Sequence, residues 1–205
     1  MIRLAARHPT WALGFQDEVW WSRLARPRLH AWAEGDDVMR LVEQAVAKDD
    51  PDPKALACYG LLLRADPSGE DATDQMWLRF VDGRPVSAVT IDYLGWCCRK
   101  LHAAGKDALC MIWDNAPWHA SQQVRTWIRT HNRQVKQDGD GVRIIACYLP
   151  IKSPWLNAIE ATWVHGKRRV LEADRLLTIH ELADRVSDAY ACPHEPHLAI
   201  PEKAA

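Results

Sequence analysis

Short apolar runs come first along this chain, and helical spacings come later. Residues 10–16 are apolar and stop at Asp17-Glu18, which reads as a strand ending in an acidic pair. Val19-Trp20-Trp21 and residues 28–33 extend the strand-like character, with Gly35-Asp36-Asp37 as a turn. Val38, Leu41, Val42, Ala45 and Val46 recur at helical spacing and predict a short helix or an irregular insertion. Residues 55–63 form a continuous apolar run, the pattern of a central strand, and residues 75–81 give another strand closed by Asp82-Gly83. The polar stretch between them, with Pro67 and Gly69, reads as loop.

From residue 87 the period changes. Val89, Leu94, Trp96, Cys97 and Leu101 predict a helix ending near Gly105. Residues 108–113 form an apolar strand that stops at Asp114-Asn115. Val124, Trp127, Ile128 and His131 predict a helix within 121–135, residues 137–141 a loop, and residues 142–149 a strand. Residues 156–171 and 179–190 read as two further helices. Strands first, then helix–strand–helix–strand–helix, predict an α/β fold: a mixed central sheet with helices on both faces. The expected organisation is one domain over residues 1–191 and a loosely ordered tail over 192–205.

Composition narrows the function classes. The 205 residues are 48% hydrophobic, enough for one domain with a real core. The net charge of −1 gives no overall basic field of the kind that advertises nucleic acid. The six cysteines lie mostly in apolar runs without paired CxxC spacing, which predicts reduced thiols and a cytoplasmic protein. No signal-peptide core and no membrane-length apolar run is present. Cys192-Pro193-His194-Glu195-Pro196-His197 lacks the second ligand pair of a zinc module and reads as plain tail.

The chemistry lies between residues 108 and 163. Trp113-Asp114-Asn115-Ala116-Pro117-Trp118-His119 ends a strand with a carboxylate, at the sheet end where α/β folds hold ligands. Leu149-Pro150-Ile151-Lys152-Ser153-Pro154-Trp155-Leu156-Asn157-Ala158-Ile159-Glu160 carries a second carboxylate into the first turns of a helix. Together these motifs resemble DDE transposases, in particular the bacterial insertion-sequence branch of the mariner-like superfamily. The resemblance extends from about residue 10 to 190, with Asp17-Glu18 matching the family's first carboxylate.

The resemblance implies a ribonuclease-H-like fold, two Mg²⁺ or Mn²⁺ ions held by Asp17, Asp114 and Glu160, and metal-dependent DNA cleavage and strand transfer at transposon ends. Three carboxylates suit Mg²⁺, which keeps water and substrate phosphate among its ligands. Two such ions can serve both ends of an in-line phosphoryl displacement. By alternation Glu18 points away from Asp17, as a supporting or surface residue. Asn115 caps a turn or supports the site. His119 is a capping or solvent-facing residue, or else it touches the site or DNA phosphate. Asn157, three residues before Glu160, shares its helix face and is a candidate for orienting it. Lys167, in the basic run Gly166-Lys167-Arg168-Arg169, and Lys152 are solvated or contact phosphate. Trp113 and Trp163 read as core. Trp118 and Trp155 flank the site and either pack or stack on an unpaired base.

The sequence departs from the family in three ways. The helix-turn-helix region that usually precedes the first catalytic strand has no room here, so a companion subunit carrying it, or a homodimer, is the expected partner besides DNA. Asp114 and Glu160 are 46 positions apart, a long spacing, with the excess expected around residues 137–141. Lys152 stands where an aromatic residue is common. A truncated or split subunit acting through dimerisation, without catalysis, is the competing reading.

Overall fold

The computed structural model describes residues 2–24, 46–64, 74–170 and 175–200. A short helix, α1 (Ile2–Ala5), precedes three strands: β1 (Trp11–Ser22), β2 (Ala55–Arg64) and β3 (Gln75–Asp82). Then follow α2 (Ser87–Ala103), β4 (Ala108–Trp113), α3 (Gln122–Asp138), β5 (Arg143–Tyr148), α4 (Ala158–Arg169), α5 (Ile179–Ala189) and the two-residue β6 (Leu198–Ala199). The sheet order is β5-β4-β1-β2-β3-β6. The β1–β2 and β2–β3 pairs are antiparallel, whereas β1–β4, β4–β5 and β3–β6 are parallel. This is the mixed sheet predicted from the element order.

Strand alternation divides the core in two. Ala12, Tyr59, Leu61, Leu109, Met111 and Trp113 face α2 and α3. Leu13, Phe15, Cys58, Cys110 and Ile112 face the other way, against Ile159 and Trp163 of α4 and Leu182 and Val186 of α5. The helices therefore cover both faces, as expected. All six cysteines are unpaired, and four are buried. Among the described residues no helix is long and apolar enough to cross a membrane.

Three expectations change. The first strand does not end at Asp17. It runs on to Ser22, because β2 pairs with it without a break from Leu13↔Arg64 to Ser22↔Ala55. The loop expected at 137–141 shrinks, since α3 continues to Asp138. Gly139 ends the helix in the left-handed region (φ 70°), with its N–H bonded 3.0 Å to the Val135 carbonyl.

The tail is not loose as far as residue 200. Leu198 and Ala199 add a parallel strand to the edge of β3. Arg79 Nε donates to the Pro196 carbonyl at 2.8 Å, and Lys100 pairs with Glu195 at 3.1 Å. The edge of β3 supplies the partner that orders this segment. The strand expected at 28–33, the turn at 35–37, nearly all of the helix proposed over 38–46 and the 65–73 loop lie outside the described residues.

Candidate active site

Register places the first two carboxylates. The parallel β1–β4 ladder ends at Phe15↔Ile112. Two residues further along each chain stand Asp17, still within β1, and Asp114, the first residue after β4, so the two neighbouring strands carry them toward the same end of the sheet. Phe15 and Ile112 belong to the cluster under α4, and Asp17 keeps that face. Glu160 lies in the first turn of α4, whose N-terminus is tied to the same place. Asn157 Nδ2 donates 2.9 Å to the Gln16 carbonyl, one residue before Asp17. Asn157 is not on the helix face as expected. It is the N-cap, extended at φ −91° and ψ 107°, and it anchors the helix to the strand.

Asp17 is held from the helix side. Trp163 Nε1 donates to its Oδ2 at 3.0 Å. The indole lies over Gly60, the partner of Asp17 across β1–β2, and a Cβ at Gly60 would collide with the ring. A glycine inside the apolar run 55–63 was the signal for such a close approach, and sequence reasoning did not use it. Burial, with the charges of Glu18 and Glu160, pushes the Asp17 carboxyl up to about 7. Burial and the Asp114 charge also raise Glu160, with Lys167 opposing. Among the described residues none donates a hydrogen bond to the Glu160 carboxylate.

Asp114 is held from the opposite face. His119, fully buried, places Nδ1 at 2.7 Å from Asp114 Oδ1 and Nε2 at 2.8 Å from Glu18 Oε1. The ring stacks on Trp113, centroids 4.6 Å apart. Burial alone would lower the imidazole, but the Glu18 charge and the two carboxylate hydrogen bonds push it up to about 9. At neutral pH it is therefore an imidazolium donating both ways. The hydrogen bond from His119, with the Ala116 N–H at 2.9 Å, holds Asp114 below the usual carboxylate range.

His119 is thus neither solvent-facing nor a cap. Glu18 is buried too, with a side chain only 6% exposed. It accepts from Gln16 Nε2 at 2.8 Å and from Trp118 Nε1 at 2.9 Å. Alternation put it on the far face from Asp17, and there it holds the residue that holds Asp114.

The other predicted residues frame the mouth. Asn115 Nδ2 donates 2.6 Å to the Leu149 carbonyl, joining the two motif loops. Between them opens a groove of about 340 Å³, bounded by residues 114–116 and 149–154. Lys152 sits on its rim with φ 60°. Beyond it Ile151 and Trp155 are 80% and 74% exposed. Trp113 and Trp163 are core, as expected. Trp118 is fixed by Glu18, whereas Trp155 has its face free to solvent.

The donor set fits a hard divalent cation: carboxylate oxygens, two of them raised by burial and neighbouring negative charge, with Asp17 Oδ1 and Asp114 Oδ2 taking no side-chain hydrogen bond among the described residues. Among the described residues no three His, Cys, Asp or Glu side chains already converge on one point. Mutual repulsion spreads bare carboxylates, and Mg²⁺ needs no closed protein cage.

No curated protein matches the sequence. Solved structures do. The Mos1 transposase paired-end complex with left transposon end matches with a TM-score of 0.60 at 14% identity, over 94% of this chain and 52% of that one. A pre-cleavage Mos1 transpososome matches at 0.53 and 13%, over 94% and 52%. The Mos1 mariner paired end complex with Mn matches at 0.53 and 17%, over 93% and 51%. The chain spans about half the length of these proteins. At such identities the likeness establishes the fold, which is ribonuclease-H-like. The family profile described as DDE superfamily endonuclease matches residues 71–183, more than half of the chain and including both Asp114 and Glu160. The chain belongs to the DDE superfamily of endonucleases.

Proposed function

We propose that this chain is the catalytic part of a transposase of the mariner-like superfamily, bacterial insertion-sequence branch. In this reading it cleaves DNA at transposon ends and joins the freed 3′-hydroxyl to target DNA. What supports the reading is electrostatic: the Glu160 charge acts on Asp17 of β1 and the Asp114 charge, just after β4, acts on Glu160 of α4. Burial and mutual charge hold Asp17 near 7 and raise Glu160. Such a cluster is stabilised by bound divalent cation, and Mg²⁺ or Mn²⁺, two ions in all, is the proposed occupant.

Those ions, when bound, supply charge for the leaving oxygen and acidify the attacking one. The chain's own residues do the rest. Asp17, Asp114 and Glu160 present the oxygen ligands. Trp163 fixes one rotamer of Asp17, and the Glu18–His119 pair fixes Asp114 and keeps it ionised. Asn157 holds α4 so that Glu160 faces the strands. Asn115 sets the width of the groove mouth. Lys152 at the rim and Lys167 near Glu160 are placed for backbone phosphates, and exposed Trp155 for stacking on an unpaired base. In this reading no side chain of the motifs serves as the nucleophile: water and then the 3′-hydroxyl attack, without a covalent protein–DNA intermediate. DNA is the proposed partner, with a second copy or a subunit that reads the transposon ends, and the cytoplasm is the proposed compartment.

The test is cleavage of a labelled duplex carrying the element's ends, with Mn²⁺ and Mg²⁺, by the wild type and Asp114→Asn. Wild-type activity that falls at least 100-fold in the variant, with an unchanged melting curve, is expected. Equal activity in both proteins rejects the assignment. No cleavage by the wild type under any metal and DNA condition favours the non-catalytic subunit instead.

A further inference from the structure

The tail segment 192–197 holds a second constellation, well away from the carboxylates. His194 and His197 turn their Nε2 atoms toward each other, 3.2 Å apart. Each ring is held from behind by a carboxylate: His194 Nδ1 is 2.7 Å from Asp184 Oδ1 on α5, and His197 Nδ1 is 2.6 Å from Asp82 Oδ1 at the end of β3. Phe80, buried beneath, contacts both rings at 5.5 Å. The histidines are only 24% and 14% exposed. They border a cavity of about 590 Å³ that also includes His180, whose ring lies 6.4 Å from that of His194.

Carboxylates behind both Nδ1 atoms fix the Nδ1–H tautomer, so in neutral rings both Nε2 atoms present lone pairs. Two lone pairs face to face repel unless a cation lies between them. A proton can do this, and so can a metal. Two imidazole nitrogens bound at 2.0–2.1 Å on a tetrahedral ion stand about 3.4 Å apart, close to the spacing here. A carboxylate on the remote nitrogen is the usual outer partner of a metal-binding histidine. Imidazole donors select Zn²⁺-like ions over Mg²⁺.

We propose that His194 and His197 form a binding site for a divalent transition-metal cation, Zn²⁺ in the first place, that clamps the C-terminal segment to β3 and α5. Among the described residues no three ligands already converge, so water fills the remaining positions, with His180 able to supply a third nitrogen after a side-chain rotation. Cys192 is not a ligand. Its Sγ turns to the Ser187 carbonyl at 3.7 Å, and burial pushes its thiol up to about 11. The site is independent of the proposed transposase chemistry.

The experiment is calorimetric titration of the chelator-stripped full chain with Zn²⁺ in millimolar Mg²⁺, which keeps the oxygen site occupied. Visible absorption with Co²⁺ then reports nitrogen ligation. Wild type and Asp114→Ala should each bind one Zn²⁺ at this site, with a rise in melting temperature. His194→Gln and His197→Gln should weaken it at least tenfold, and Asp82→Asn about tenfold or more. Melting curves in chelator show whether each variant is folded. Because Asp82→Asn leaves both ligands in place, it tests the site even if a histidine variant unfolds. Undiminished affinity in Asp82→Asn and the histidine variants overturns the proposal. So does Zn²⁺ binding that disappears only in Asp114→Ala, or a wild type that binds none.

Discussion

Replacing Asp17 with asparagine should make the metal-free protein more stable. The Asp17 carboxyl is raised from 3.8 to about 7 in the fold. A group whose folded pKa is raised gives stability that is complete below the unfolded value and is lost as pH rises through the folded one. Ionised Asp17 therefore weakens the protein progressively between about pH 4 and pH 7, and the loss levels off above that. At 1.36 kcal/mol per pH unit the full loss is on the order of 4 kcal/mol. Asparagine is isosteric, can still accept from Trp163 Nε1, and does not ionise. In chelator, Asp17→Asn should melt roughly 10 °C above wild type at pH 8, with the gap closing toward pH 4. Mn²⁺ should raise the wild type and leave the variant nearly unmoved, while any cleavage activity is lost. The assay is thermal or urea unfolding from pH 4 to 8.5, with and without Mn²⁺. A gap that does not depend on pH, or a variant less stable than wild type at pH 8, refutes the account of Asp17 as a buried charge awaiting a cation.

Two other substitutions probe the supports. Gly60→Ala forces Trp163 off the sheet. It should cost about 1–3 kcal/mol by overpacking, read by urea unfolding, and tryptophan fluorescence should shift as the indole loses its place beside Asp17. His119→Gln leaves buried Glu18 without its cation and should cost about 3–5 kcal/mol. His119 is raised to about 9, so its contribution is complete below about 6.5 and vanishes as pH climbs through 9. The difference between wild type and His119→Gln in urea unfolding should therefore shrink between pH 7 and 10, and a constant difference speaks against an imidazolium there.

Periodicity and punctuation in the sequence determined most of the local structure. The run 108–113 had no helical period and stopped at Asp-Asn, and it is β4 to the residue. The order of elements gave the layered α/β arrangement, and two motifs gave Asp114 and Glu160, because strand ends and helix starts are encoded by neighbouring residues. Asp17 was legible only as an acidic residue after an apolar run. Its position on a strand next to β4 depends on the β1–β4 register, and the continuation of its strand on β2, both set by partners roughly 40 to 100 residues away.

His119 shows the same limit more sharply. No local rule says that a histidine after a turn will be buried, because what buries it is Trp113 below and Glu18 from another strand. The segment 198–199 shows the converse: nothing local marks it as a strand, and the edge of β3 gives β6 something to pair with. Local sequence fixes what each segment can be. Tertiary structure decided which charges meet, because burial and pairing are properties of the partner as much as of the residue.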